Sequence, residues 1–465
     1  MGVHSPEVDP SEAGAREVGM TDRERVLALL RRHGWNSTSF QILEPGFLYW
    51  FNGEDACVGY VDTGRSWVVA GPPIAPSDRL AEVAARFAEA ARAADRRTAW
   101  FGTEPRFSGA TTWPSLRIGD QPVWSPTAWA GVVESGKSLR EQLRRARSKG
   151  VTVRAIALAE LAADHPTRAQ VEALIVRWLA SRPIAPMGFL VQIDPFTFPA
   201  ERRYFVAERE RKVVAFLGII PIYARDGWFF EDFLRDPEAP NGTVELLVDA
   251  GMRAAADAGI PIVTLGLVPL AGEVSSWLRA ARRLGRSLYD FDGLRAFKAK
   301  FKPSAWDPIY LSYPPTGNAF TAVYDTLKAF ARGGLLRFGL ETFLRGPAVV
   351  VRALAVLLVV WTALLSLPTS AHYFPAPACQ YGWVAFDVGL GVGLFALARR
   401  WRQPLADIVA TAVTLDAVVT VLQAILYDLP RRRGPLDLAV IGIAMLAPTV
   451  AAVLLWNARA SRMAA

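Results

Sequence analysis

Cysteine and histidine are almost missing from this chain. Only two cysteines and four histidines occur in 465 residues. Cys57 and Cys379 lie far apart and the histidines are scattered, so neither a disulfide framework nor a bound metal is expected. The opening stretch, MGVHSPEVDPSEAGAREVG, is polar and acidic with no apolar run, so it does not read as a secretory signal. Residues 1–20 are expected to form a disordered tail. Long apolar runs are lacking before Pro347, and that part is expected to be soluble. The last quarter holds four, roughly Pro347 to Leu367, Tyr381 to Ala398, Leu405 to Leu426 and Leu436 to Trp456. Each is near the ~20 residues a helix needs to cross a hydrocarbon core, which predicts a multi-pass membrane region over 347–465. Lys and Arg are absent from 368–380 but present at Arg332, Arg337 and Arg345 and again at Arg399, Arg400 and Arg402. That asymmetry puts the soluble part on the cytoplasmic side; Arg431 to Arg433 run against it.

The soluble part alternates strands and helices, and the pattern repeats. An apolar strand (Trp67 to Ala70), a Pro-rich loop, a helix (Ser77 to Ala94) and a strand ending Gly102-Thr103-Glu104-Pro105 come first. The same order returns as Trp228 to Leu234, the loop from Asp236 to Pro240, a helix from about Thr243 to Ala258 and a strand ending Gly266-Leu267-Val268-Pro269. Ala75-Pro76 and Gly102 precede Ala239-Pro240 and Gly266 by a constant 164 positions. Two copies of one α/β unit are predicted, 21–150 and 151–313. Residues 314–346 follow as a basic amphipathic segment carrying Phe320, Tyr324, Leu327 and Phe330 among Lys328, Arg332 and Arg337, the composition of a helix lying on an anionic bilayer.

Net charge is +8, and two local maxima matter more than the sum. Lys298, Lys300 and Lys302 alternate with Phe297, Ala299 and Phe301, so an extended chain would present three ammonium groups on one face, a site for a polyanion or a solvated edge strand. In KSLREQLRRARSKG, Leu139, Leu143 and Ala146 would bury one stripe of a helix and leave Arg140, Arg144, Arg145 and Arg147 outward, with Glu141 as the one internal partner. Elsewhere, Glu231, Asp232 and Arg235 interrupt an apolar strand. A carboxylate at a strand end can accept a proton or orient a hydroxyl, and a nearby arginine can bind phosphate or pair with it. Asp232 and Arg235 fall on opposite faces of an ideal strand unless a bulge intervenes. Within the membrane region, Asp387 and the stripe Asp416, Thr420 and Gln423 are expected to face a bundle interior.

The run DFLR, then PNG and a helix bearing Glu245, then LGLVPLAG and YDFDGLRAFKAKFKP resemble the catalytic domain of the phosphatidylglycerol aminoacyltransferases, the lysyl- and alanyl-phosphatidylglycerol synthases. Arg117-Ile118-Gly119-Asp120, SLREQLRRARSKG and WLASRPIAPMGF are similar too, and the likeness covers roughly residues 40–312. It implies tandem GCN5-acetyltransferase-like (GNAT) folds and transfer of an amino acid from aminoacyl-tRNA to a lipid hydroxyl, without a cofactor. It also implies that Asp232, Arg235 and Lys298 are catalytic. Substrate-binding candidates are Arg144, Arg147, Glu245, Lys300 and Lys302, gripping acceptor-stem phosphates and an anionic lipid. In that family the membrane helices normally precede the catalytic domain, whereas this chain has them after it.

Ester exchange of this kind asks for alignment, deprotonation of the attacking hydroxyl and donors for the oxyanion. Acetyl transfer from acetyl-CoA, the commoner use of GNAT folds, is disfavoured because the loop DPEAPNGT has one glycine and two acids where a pyrophosphate cradle would sit. Transfer to a peptide or cell-wall precursor, or a non-catalytic membrane-tethered binding module, are the alternatives.

Overall fold

A computed structural model of the chain describes residues 21–182, 184–285, 290–332, 334–345, 347–399, 401–432 and 434–463. The disordered-tail expectation for 1–20, and Tyr289, Arg400 and Arg433, lie outside the described residues. Twelve strands are described, and they form one sheet. They are β1 (Leu48–Phe51), β2 (Cys57–Asp62), β3 (Ser66–Ala70), β4 (Arg97–Thr103), β5 (Ser115–Trp124), β6 (Thr152–Ala155), β7 (Arg203–Arg209), β8 (Lys212–Ile222), β9 (Gly227–Arg235), β10 (Val263–Thr264), β11 (Val268–Pro269) and β12 (Ala305–Ser312). Their order is β1-β2-β3-β4-β12-β5-β10-β9-β8-β7-β6, with β11 beside β5.

The internal repeat is visible in this sheet. Two parallel steps, β3 to β4 and β9 to β10, are bridged by helices Leu80–Ala93 and Thr243–Asp257, as the right-handed crossover of parallel strands requires a connection of this length. Gly102 and Gly266, the glycines at the 164 offset, both adopt the left-handed backbone (φ +83° and +74°), Gly102 inside β4 just past its last pair with β3 and Gly266 just after β10. The tandem GNAT-like arrangement is therefore present. Each half also gives its last strand to the other side: β5 pairs with β10, β12 pairs with β4, and the two run antiparallel to each other from Ala305 opposite Val123 to Ser312 opposite Ser115. This exchange fuses the halves through the sheet centre.

Helices cover both faces. On one face of the second half's strands, Thr243–Asp257 and, contributed by the end of the first half, Lys137–Ser148 bury Leu139, Leu143, Leu247 and Met252 with Leu217 and Phe230. Pro166–Ala180 buries Val171 and Leu174 against Tyr204, Phe216 and Leu234 on the other. Burial at these periodic positions explains all three helices. The expected amphipathic segment is two helices, Ala319–Phe330 and Leu335–Arg345. The first is packed on the sheet through Ala322, Asp325, Thr326 and Ala329, and Arg97 clamps Asp325 at 2.6 and 2.9 Å.

Three helical segments are long and apolar enough to cross a membrane, Pro377–Ala398, Gln403–Arg431 and Pro435–Ala460. The fourth expected span corresponds to a shorter apolar helix, Val350–Leu365. The four helices form their own core, with Val351, Leu394, Val409, Val413 and Leu455 buried. Asp387 is buried between them and accepts from Thr362 at 3.4 Å; Thr420 donates to Asp416 at 3.1 Å.

Candidate active site

Asp232 is placed by a β-bulge. Ile219 of β8 pairs with Phe230 and Gly218 pairs with Asp232, leaving Glu231 as the extra residue. The bulge turns Asp232 to the face of Phe216 and Leu234, whereas Phe230 packs on the opposite face with Leu217. Gly218 makes room for the carboxylate: a Cβ there would lie 3.2 Å from Asp232 Oδ2. Asp232 is 7% exposed.

Beside it, Arg202 is completely enclosed and holds two further acids. Its guanidinium donates to Glu231 at 2.7 Å, to Glu44 at 3.2 Å and to the Thr197 carbonyl at 2.9 Å. Glu44 comes from the first half, so the cluster ties the halves together at the bulge. Three buried carboxyls face one guanidinium here. Burial and the neighbouring Glu231 charge hold the Asp232 carboxyl well above the usual carboxylate range, with Arg202 opposing. Glu44 is raised likewise, by burial first and then by Glu231. One oxygen each of Glu44 and Glu231 is buried without a partner among the described residues. The surroundings of Asp232 thus gather three acids about one cation.

The lysines also differ from expectation. Residues Phe291–Ala299 form a helix, started by Asp290, whose carboxylate accepts from the Gly293 amide at 2.8 Å. The alternation of Phe and Lys that reads as a strand also places Phe297 and Phe301 four apart, and their rings meet edge to face at 5.2 Å. Lys298 is 6% exposed rather than presented to solvent. Its Nζ donates to three successive carbonyls, Leu265 at 2.6 Å, Gly266 at 2.9 Å and Leu267 at 3.2 Å, which uses all its protons. Burial pushes this ammonium down to about 7; the three acceptors favour its charged form. Lys298 therefore staples the chain where it leaves β10. Lys300 pairs with Glu245 against the Phe297 ring, and Lys302 donates to Ser135 at 2.9 Å.

That departure opens the sheet. β10 pairs with β9 only at Trp228 and Phe229, then turns at Gly266 to follow β5, leaving Phe230 to Arg235 of β9 without a strand on that side. A Cβ on Gly266 would lie 2.7 Å from the Phe229 ring, so only glycine allows this approach. In the first half the corresponding turn is filled by the chain itself: Asn36 donates to the Gly102 carbonyl at 3.4 Å, and a Cβ on Gly102 would meet Thr38 at 3.2 Å.

Arg235 and Asp232 stay on opposite faces, since the bulge precedes both. Arg235 donates to the Ala239 carbonyl at 3.0 Å and its Nε is buried without a partner among the described residues. On that same face lies a recess lined by Arg140, Arg144, Arg147 and Arg253. Two of these arginines are held by the buried Asp249, which accepts from Trp129 Nε1 at 2.9 Å, Arg253 at 3.0 Å and Arg147 at 3.1 Å. Arg144 is exposed and has no side-chain partner among the described residues. Sequence reasoning singled out Asp232, Arg144 and Arg147 but not Glu44 and Arg202, which carry no local signal because only the sheet brings them to β9.

Residues 27–313 match the family described as phosphatidylglycerol lysyltransferase, C-terminal. A phosphatidylglycerol lysyltransferase of Bacillus subtilis is 32% identical over 146 residues, 29% of this chain and 17% of that protein. The lysylphosphatidylglycerol biosynthesis bifunctional protein LysX of Mycolicibacterium vanbaalenii is 28% identical over 247 residues, 50% of this chain and 21% of that protein. The chain thus aligns with about a fifth of the length of these relatives. In fold it is similar to L-PGS from Bacillus licheniformis, with a TM-score of 0.55 at 21% identity over 68% of this chain and 98% of that one. The C-terminal DUF2156 domain from Agrobacterium fabrum gives a TM-score of 0.57 at 23% identity, with the same coverage. With its two GNAT-like halves and the match over 27–313, the chain belongs to the phosphatidylglycerol lysyltransferase C-terminal family.

Proposed function

We propose that this chain moves an amino acid from aminoacyl-tRNA to a hydroxyl of an anionic membrane lipid, phosphatidylglycerol or a close relative, with residues 151–313 carrying the chemistry. The observation that carries the reading is Asp232, buried on a bulge beside the open edge of β9 in a chain of this family. In the proposed step the lipid oxygen attacks the aminoacyl carbonyl carbon, the ester bond to the ribose breaks, and one proton passes from the lipid hydroxyl to the ribose oxygen. A carboxyl whose proton affinity has been raised by burial and by Glu231 is suited to relaying that proton. The arginine recess lies across the sheet and would grip acceptor-stem phosphates, which bind through charge rather than sequence. The gap beside Phe230 to Arg235 would let the charged end of the RNA reach Asp232. Lys298 holds the rim of that gap and is not the oxyanion donor in this reading, because its protons are engaged. The membrane helices would keep the soluble part at the cytoplasmic surface, where both substrates occur.

The test is transfer of radiolabel. Purified chain in vesicles containing phosphatidylglycerol is given a mixture of labelled aminoacyl-tRNAs, and label should enter the chloroform phase and cease after ribonuclease treatment. Label recovered only on water-soluble amines would favour a peptide or cell-wall acceptor, and no transfer from any aminoacyl-tRNA would overturn the proposal.

A further inference from the structure

The helix Ala319–Phe330 has two apolar sides, and only one of them is used by the fold. Ala322, Thr326 and Ala329 are buried against the sheet, with Asp325 fixed by Arg97 and Lys328 donating to the Thr63 carbonyl at 3.1 Å. Phe320, Tyr324 and Leu327 point the other way and are 65%, 51% and 51% exposed. Their i, i+4, i+7 spacing makes one stripe along the helix. A helix held this firmly cannot rotate to hide them. Water-facing stripes of this size on a soluble unit mark an interaction surface.

The stripe extends in two directions. Trp277, on the helix Ser276–Gly285, lies tilted against Phe320 with ring centroids 4.9 Å apart. Beyond Phe330 the chain runs through Leu335–Arg345, where Leu336 and Leu340 are 92% and 60% exposed, directly into the first apolar helix. Cations flank it: Arg279, Arg283, Arg332 and Arg337 are exposed; the two acids on these three helices are paired, Glu341 with Arg337 and Asp325 with Arg97, and Asp292 on the neighbouring helix pairs with Arg282. Aromatic and aliphatic side chains ringed by arginine and lysine match the headgroup boundary of an anionic bilayer.

We infer that the soluble unit docks flat on an anionic lipid bilayer through Trp277, Phe320, Tyr324 and Leu327, in addition to its covalent tether. Ser276–Gly285 follows directly from β11, the strand next to the opening at β9. Docking there would bring that opening to headgroup depth. The inference concerns membrane contact and stands whether or not aminoacyl transfer occurs.

The experiment uses the full chain in lipid nanodiscs with Cys379→Ser; Cys57 is buried and stays. A polarity-sensitive dye is placed by Phe320→Cys, by Leu327→Cys or, as a distant control, by Glu210→Cys at the far turn between β7 and β8. With nitroxide-headgroup lipid in phosphatidylcholine–phosphatidylglycerol discs, the dye at 320 and 327 should be quenched at least about twofold more than at 210. In phosphatidylcholine discs that excess should fall by about half or more, because the flanking arginines lose their partners. Equal quenching at all three positions overturns the proposal. A blue-shifted but unquenched dye at 320 and 327 also overturns it, and would mean that a second copy of the chain covers the stripe.

Discussion

Replacing Arg202 by methionine should be among the most damaging changes available in the α/β part of the chain. The side chain is 0% exposed and is the only cation donating to Glu44 and Glu231 among the described residues. Its removal strands two buried carboxyls, one from each half, and breaking a buried pair in this way costs about 3–5 kcal/mol. At roughly 2–4 °C per kcal/mol for a unit of this size, the melting temperature should fall by roughly 6–20 °C. Glu44→Gln should cost less than about 1 kcal/mol, since the amide oxygen can still accept from Arg202 and one of three competing charges is gone. The combined variant Arg202→Met, Glu44→Gln, Glu231→Gln should recover much of the loss, because neutral partners need no guanidinium. Intrinsic tryptophan fluorescence of the detergent-solubilised chain on heating reads all four proteins. An Arg202→Met melting point within about 2 °C of the parent, or a triple variant no better than the single one, would refute the reasoning.

Three further outcomes follow from the same geometry. Glu104 is 7% exposed and burial pushes its carboxyl to about 7, so it stays protonated in the fold while the unfolded chain ionises it near its ordinary value of 4.5. The unfolded state then binds fewer protons, so stability falls as pH rises from 4.5 to 7, by up to about 3 kcal/mol; Glu104→Gln should flatten that slope in melts at pH 5 and 8. Lys298→Met should leave the carbonyls of 265–267 without their shared donor, costing about 2–4 kcal/mol locally, and amide exchange over 265–270 should speed up while the Pro166–Ala180 helix stays protected. Arg144→Gln should weaken tRNA binding and reduce the slope of log affinity against log salt by about one, with melting unchanged.

Much of the architecture could be read in advance because it rests on local pattern. The helices Leu80–Ala93 and Thr243–Asp257 fall almost where apolar periodicity and the 164 offset place them. Leu139, Leu143 and Ala146 form the buried stripe that their spacing requires. The pattern around Lys298 was ambiguous for a physical reason: alternating Phe and Lys satisfies period two, yet Phe297 and Phe301 also satisfy i, i+4, and the Asp290 cap decides for helix. Burial of Lys298 needed three carbonyls from a turn over thirty residues earlier in the chain, which no local window contains. The exchange of β5 and β12, and the meeting of Glu44 with Arg202 and Glu231, are likewise long-range facts. The bulge at Glu231 was the condition on which the orientation of Asp232 depended; its position before Asp232 is what separates that residue from Arg235.

Lipid mass spectrometry of cells expressing the chain reads the product of the proposed transfer itself. Wild-type cells should contain an aminoacylated lipid that drops by about 100-fold or more with Asp232→Asn, a change that keeps the shape of the side chain and removes its acid–base function. Undiminished adduct in Asp232→Asn cells, or none in wild-type cells whose membranes hold the folded chain, would contradict the account.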